Sequence, residues 1–299
     1  MNTSTALQRI TGKGFIAALD QSGGSSPKAL AAYGVDASVW GEDQGKMFEQ
    51  IHEMRTRIII NPKFDERISG AILFERTMNS EIEGVPTATY LSNKNIVPFL
   101  KVDEGLADES NGVQLMKPLG GLTERLKSAN EHGIFGTKMR SVIQSANPEG
   151  IAAIVTQQFE VGNMIIDAGL MPILEPEVNI KSADKAACEA LLHDALLQAL
   201  DALPEDRQVM LKLTLPEAPN LYSDVIAHPR VLRVVALSGG YSRDDANSKL
   251  SSNAGMTASF SRALVQDLRI DQSEEEFTQA LDGAIESIYQ ASISKAVNV

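Results

Sequence analysis

Gly14–Asp20 reads GFIAALD, five apolar residues behind a glycine, closed by a carboxylate. The plan recurs in Gly70–Phe74 (GAILF), Ile96–Asp103 (IVPFLKVD), Phe135–Arg140 (FGTKMR), Met171–Val178 (MPILEPEV), Gln208–Leu215 (QVMLKLTL), Val231–Ser238 (VLRVVALS) and Met256–Arg262 (MTASFSR). That makes eight runs. They are apolar without strict alternation, the pattern of parallel strands buried on both faces. The spacers carry helical stripes and caps. Met47, Ile51, Met54 and Ile58 fall at steps of three and four, which is one face of a helix. Asn147 before Pro148 is a cap followed by a first-turn proline, with Ile151, Ile154, Val155 and Phe159 behind it. Ser273 and Glu276 have capping-box spacing ahead of Phe277, Leu281, Ala284 and Ile288. Eight strand-then-helix units without a linker predict an α/β fold, a single (β/α)8 TIM barrel as one domain over residues 1–299. A doubly wound sheet needs a G-x-G-x-x-G turn after its first strand. Asp20-Gln21-Ser22-Gly23-Gly24-Ser25 does not supply it.

Composition narrows the class. With 43% hydrophobic and 22% charged residues the chain can bury a core, which excludes a disordered or collagen-like protein. One cysteine, Cys188, permits neither an internal disulfide nor a thiolate zinc site and points to a reducing, cytoplasmic setting. Met1-Asn2-Thr3-Ser4 lacks the basic-then-apolar pattern of a signal peptide. No run nears the roughly 18 apolar residues of a membrane span. The expectation is a soluble, unprocessed chain with no membrane partner. Lys and Arg number 27 against 39 Asp and Glu, and the net charge of -12 argues against nucleic acid as a partner. An anionic ligand therefore needs a local basic pocket.

Barrel sites lie at the C-terminal ends of the strands, and there the runs turn polar. Asp20 closes the first run, Lys101 lies in the third, Lys138 and Arg140 in the fourth, Glu175 and Glu177 in the fifth, and Lys212 in the sixth. Ser238 and Gly239 close the seventh and Arg262 the eighth. Charges in apolar strands are costly unless paired or wetted, so these point to one polar mouth. Structural ion pairs plugging the barrel would explain any one of them. Lys212 fits that explanation poorly, because Val209, Met210, Leu211 and Leu213 surround it. Desolvation and like-charge neighbours favour a neutral, nucleophilic amine, and such an amine forms Schiff bases. Lys138 is the candidate for the neighbouring cation. Glu175 and Glu177, two positions apart, share a strand face, so that one can hold the lysines while the other moves protons.

The phosphate signals are separate. Leu237-Ser238-Gly239-Gly240 and Arg262 fall where barrels often bind phosphate. Ser22-Gly23-Gly24-Ser25 with Lys28 forms a second anion cradle, expected to lie within reach of Lys101. Two such sites flanking an amine suggest a bisphosphate. His52, His132, His193 and His228 form no H-x-x-x-H pair, so no metal is expected. Cys188 reads as a core filler.

The segments GKGFIAALDQSGGS, GAILFERT, FLKVDEG, GTKMRSV, PILEPEV, LKLTLP and ALSGGYS resemble class I fructose-1,6-bisphosphate aldolase, the metal-independent Schiff-base type, in its shorter bacterial form. The resemblance runs in register from about Gly12 to Leu264. It implies the barrel and the reversible cleavage of fructose 1,6-bisphosphate to dihydroxyacetone phosphate and glyceraldehyde 3-phosphate. The cofactor is then none beyond a covalent imine on Lys212. By position the resemblance implies Glu175 as acid and base in dehydrating the carbinolamine, Asp20 as base for the C4 hydroxyl, and Lys138 with Glu177 as the charged network around them. It implies Ser238, Gly239 and Arg262 for the C1-phosphate, and Ser22, Ser25 and Lys101 for the C6-phosphate, with Arg140 and Lys28 also in matching positions. The partner is a phosphosugar, and a homo-oligomer is compatible with the family. Gln21, Met139 and Ala29 stand where animal members have Glu, Trp and Arg. The sequence stops at Val299 without the tail tyrosine of animal members, so the enamine is expected to take its proton from Glu175 or water. Two rival readings are a transaldolase-like Schiff-base enzyme, which needs no second phosphate cradle, and a non-catalytic phosphosugar-binding barrel, which is indifferent to Lys212.

Overall fold

The computed structural model describes residues 1–295. Parallel strands follow the eight runs: β1 (Phe15–Leu19), β2 (Ile68–Leu73), β3 (Val97–Lys101), β4 (Gly136–Ile143), β5 (Met171–Val178), β6 (Val209–Thr214), β7 (Val231–Leu237) and β8 (Thr257–Ala258). They pair in chain order. The Ala18 amide donates to the Phe260 carbonyl at 3.1 Å, so β1 meets the segment after β8 and the ring nearly closes. The fold is the expected (β/α)8 TIM barrel.

Two details differ from the sequence reading. Only Thr257–Ala258 of the eighth run is regular strand, because Ser292 of the C-terminal helix accepts the Ala258 amide at 3.1 Å, and Arg262 opens a short helix, Arg262–Val265. A hairpin of Glu81–Ile82 with Val85–Pro86 and a strand Val113–Gln114 antiparallel to β4 are additions. At two residues per strand they are too short to leave a hydropathy pattern. The helices fall as expected. Met47, Ile51, Met54 and Ile58 are buried along Gln44–Ile60, Asn147 caps Pro148–Asp167 through the Gly150 amide, and Ser273 with Glu276 completes a capping box on Glu274–Ile293. Residues 296–299, on which the expectation about the missing tail rests, lie outside the described residues.

The barrel interior explains how charges come together. Ile16, Ala18, Ile72, Val97, Phe99, Ile173, Met210 and Val235 form one apolar cluster, and the N-terminal helix Thr3–Thr11 adds Ala6 and Ile10 to it. Arg9 of that helix donates to the carbonyls of Asn95 and Ile68 at the starts of β3 and β2, which places the helix under the N-terminal end of the barrel. Gly136 must lack a side chain, since a Cβ there would come within 2.2 Å of the Met171 carbonyl and 2.9 Å of the Phe99 ring. Side chains alternate between strand faces, so the inward face returns every second residue, about 6–7 Å further along. Ala18 leads in this way to Asp20, Phe99 to Lys101, Ile173 to Glu175 and Glu177, and Met210 to Lys212. An apolar floor thus carries a charged layer on its C-terminal side.

Candidate active site

A cavity of about 820 Å³ opens at the C-terminal ends of the strands, and every site residue expected from the sequence lines it. At its base Glu175 links two lysines. The Lys212 ammonium lies 3.0 Å from Glu175 Oε1, and the Lys138 ammonium lies 3.0 Å from Glu175 Oε2. The second contact is too oblique for a hydrogen bond, so Oε2 is a buried oxygen with its acceptor capacity unspent. Lys138 also meets Asp20 Oδ2 at 2.6 Å and faces Asp103 Oδ2 at 4.0 Å.

Burial opposes charge on Lys138 and on Asp20, and in both the neighbours reverse it. Burial alone would lower Lys138, but Asp20, Glu175 and Asp103 hold its ammonium well above the ordinary lysine range. Burial alone would raise Asp20, but Lys138 and then Lys212 hold its carboxyl well below the ordinary carboxylate range. Lys138 is therefore a standing cation and Asp20 a standing anion at neutral pH.

Glu177 does not sit beside Lys138 as its ion-pair partner. It pairs with Arg140 at 3.2 Å, because each lies one inward step beyond the Lys138 and Glu175 positions of its own strand. Burial pushes the Glu177 carboxyl up, and the charge of Arg140 only partly offsets this. Asp103 is the third carboxylate near Lys138, and the sequence reading missed it. Its Oδ1 meets the Lys101 ammonium at 2.7 Å, and its Oδ2 accepts the Arg140 amide at 3.2 Å. The signal was present: Val97, Phe99, Lys101 and Asp103 share one alternation. Lys101 also donates to the Asp103 carbonyl at 2.6 Å, so it is tethered to its own loop. Ser259, also missed, lies on the cavity wall with a buried hydroxyl that has no partner among the described residues.

The rim is different. The Ser22 amide donates to Ser25 Oγ at 2.9 Å, and the Ser25 hydroxyl returns a bond to the Ser22 carbonyl at 2.8 Å, which shapes the loop after β1 beside exposed Lys28. Gly239 and Gly240 adopt φ of 61° and 115° after β7. A Cβ on Gly239 would strike Ile180 at 2.7 Å, and one on Gly240 would lie 3.3 Å from Arg262 Nη2, so the guanidinium rests over the bare turn. A glycine turn beside a guanidinium has the composition of an anion site.

A family model described as fructose-bisphosphate aldolase class-I matches residues 2–225. The chain belongs to that family. It is a lyase, and its activity is the family's reversible cleavage of fructose 1,6-bisphosphate, a reaction that the class runs through a lysine Schiff base without a metal. Membership sets aside the transaldolase-like and non-catalytic readings. The matched segment contains Asp20, Lys138, Glu175 and Lys212, while the loops after β7 and β8 lie beyond it. Among solved structures, fructose-bisphosphate aldolase from Plasmodium falciparum, crystallised with TRAP and a small-molecule inhibitor, superposes with a TM-score of 0.79 at 24% identity over 99% of this chain and 95% of that one. A Corynebacterium glutamicum protein gives 0.54 at 12% identity over 97% and 92% of the two chains. Orotidine 5'-monophosphate decarboxylase from Plasmodium berghei gives 0.52 at 8% over 97% and 98%. Likeness at such identities speaks for the barrel alone.

Proposed function

We propose that Lys212 is the family's imine-forming amine, with Glu175 as its proton partner and Asp20 as the base for carbon–carbon cleavage. One observation carries this reading, the Glu175 carboxylate shared between Lys212 and Lys138 beside Asp20. Lys212 passes a proton to Glu175 across their 3.0 Å contact and attacks C2 of the ketose. Glu175 returns the proton to the carbinolamine hydroxyl, which leaves as water, and a protonated imine remains. Asp20 takes the C4 hydroxyl proton, the C3–C4 bond breaks, and its electron pair enters the imine to give a neutral enamine and free glyceraldehyde 3-phosphate. Asp20 gives the C4 hydroxyl proton up to water, the enamine takes a proton at C3 from water or from Glu175 once water has reprotonated it, and hydrolysis of the imine releases dihydroxyacetone phosphate and Lys212.

The charges change in step with this sequence. The positive charge on Lys212 helps to hold Asp20 ionised before cleavage. Cleavage removes that charge as the imine becomes an enamine, so Asp20 becomes a stronger base at the moment it receives a proton. Lys138 keeps its charge throughout.

Ser238, Gly239 and Arg262 take the C1-phosphate in this reading, and Ser22, Ser25, Lys28 and Lys101 take the C6-phosphate. Arg140, paired with Glu177, borders the same cavity. Lys101 donates to the Asp103 carbonyl and ion-pairs with the Asp103 carboxylate, which leaves donor capacity on its ammonium for the ligand. Residues 1–299 act as one cytoplasmic domain with a phosphosugar as ligand. The net charge of -12 opposes nucleic acid, and among the described residues no helix is long and apolar enough to cross a membrane.

A substrate panel assayed in EDTA tests the reading. Cleavage of fructose 1,6-bisphosphate should keep its untreated rate and exceed that of fructose 1-phosphate, since the imine supplies the electron sink that a metal would otherwise provide. Strong inactivation by chelator, restored by Zn²⁺, would overturn it.

A further inference from the structure

Arg55 is fully buried on the helix Gln44–Ile60, and no carboxylate pairs with it among the described residues. Burial lowers its pKa to about 10, and the charge of Asp20 works against that, so it remains a cation at neutral pH. A buried cation without a counter-charge is costly and must be held by hydrogen bonds. Arg55 Nη1 donates to Thr77 Oγ1 at 2.7 Å, and Nη2 donates to the Gln21 carbonyl at 2.5 Å and to Gln21 Oε1 at 3.3 Å. The other end of the Gln21 side chain, Nε2, donates to Ser261 Oγ at 2.7 Å. One guanidinium and one amide therefore join the loops after β1, β2 and β8 around the cavity mouth.

The donors and acceptors in this chain have only one consistent direction. A guanidinium donates and never accepts, so the amide oxygen of Gln21 must face Arg55 and the amide nitrogen must face Ser261. Ser261 Oγ is then an acceptor for Gln21, and its own proton has to go elsewhere. Among the described residues that proton meets no acceptor, and the Ser261 oxygen, which does not cap the helix Arg262–Val265, is left to Gln21. Ser261 lines the cavity next to Arg262.

We infer that Arg55, acting through Gln21, fixes the Ser261 hydroxyl as a hydrogen-bond donor toward the phosphate that Arg262 holds. Arg55 and Gln21 are positioning residues, and Ser261 is the group that touches the ligand. The inference rests on the C1-phosphate cradle proposed above. It gives Gln21→Glu an unusual signature. A carboxylate there only accepts, so it pairs with Arg55 on one side and takes the Ser261 proton on the other. The buried cation gains a counter-charge while the phosphate loses a donor.

The test is calorimetric binding of fructose 1-phosphate to Lys212→Met enzyme, which cannot turn it over, with the thermal midpoint measured in parallel. Ser261→Ala, Gln21→Glu, their combination and Arg262→Ala are each added to that background. Ser261→Ala and Gln21→Glu should each weaken binding about 10- to 100-fold, the size of one lost hydrogen bond to a charged group. Gln21→Glu should melt no lower than its parent, and the combination should bind no worse than either single change. Weakening by Arg262→Ala with none by Ser261→Ala would overturn this inference and leave the cradle standing. Additive losses in the combination would also overturn it, because they would show the new carboxylate repelling phosphate directly. No effect from Arg262→Ala would remove the cradle itself.

Discussion

On the β4–β6 side of the cavity, Lys138, Glu175 and Lys212 are each at most 4% exposed and already paired. On the helices that follow β1 and β8, Ser25–Tyr33 and Arg262–Val265, Lys28 and Arg262 are exposed and have no ion-pair partner among the described residues. The first group meets its desolvation cost on folding and holds its geometry before substrate arrives, which is what a reacting constellation needs. The second group stays hydrated until an anion replaces the water. In a chain of net charge -12 those open cations are the local attraction that a phosphosugar requires. Reaction and recognition therefore respond differently to the loss of a charge.

The largest effect should come from Glu175→Gln. It leaves Lys138 and Lys212 buried against a neutral amide, so kcat should fall by about 10²- to 10⁴-fold. Denaturant titration should show a loss of about 3–5 kcal/mol, as when a buried ion pair loses one partner. A variant within tenfold of the parent kcat would erase the contrast between base and rim.

At the rim the losses should be in binding. Arg262→Ala and Lys101→Ala should each raise KM for fructose 1,6-bisphosphate by roughly 10- to 100-fold, the size of a lost charge-assisted contact. With fructose 1-phosphate only Arg262→Ala should matter. Equal losses for both on the monophosphate would break the assignment of the two ends.

The smallest effect concerns pH and stability. Asp20 has a folded pKa below its unfolded value of about 3.9, so it contributes stability that is complete above that value and is lost as pH falls through the folded pKa. Lys138 has a raised folded pKa, so its contribution is complete below about 10.4 and is lost only as pH rises beyond that. The urea stability gap between the parent and Asp20→Asn should stay constant from pH 5 to pH 8 and shrink below about pH 4. A gap that widens on acidification would contradict the pairing of Asp20 with Lys138.

Much of this architecture is legible in the one-dimensional pattern. Each run is one buried strand, and along a strand the inward face alternates, so Ala18 followed two residues later by Asp20 already reports an apolar floor under a charged layer. Asp103 obeyed the same rule and was overlooked beside the more conspicuous Lys101. The partner of Glu177 was not legible, because choosing between Lys138 and Arg140 depends on how β4 and β5 are staggered. The chain through Arg55 could not be read at all. Its links join residues 34 and 240 positions apart, and a glutamine, a serine and a helical arginine carry no local mark of a site.

The central claim is that Lys212, placed on Glu175 at the base of the barrel, is the amine that carries the sugar. Borohydride added together with dihydroxyacetone phosphate should reduce the imine to a stable secondary amine, and peptide mass mapping reads its position. The account predicts the adduct on Lys212, with neither Lys138 nor Lys101 labelled, and no adduct or turnover in a folded Lys212→Met variant. Label on another lysine, or a Lys212→Met variant that still cleaves the bisphosphate, would contradict it.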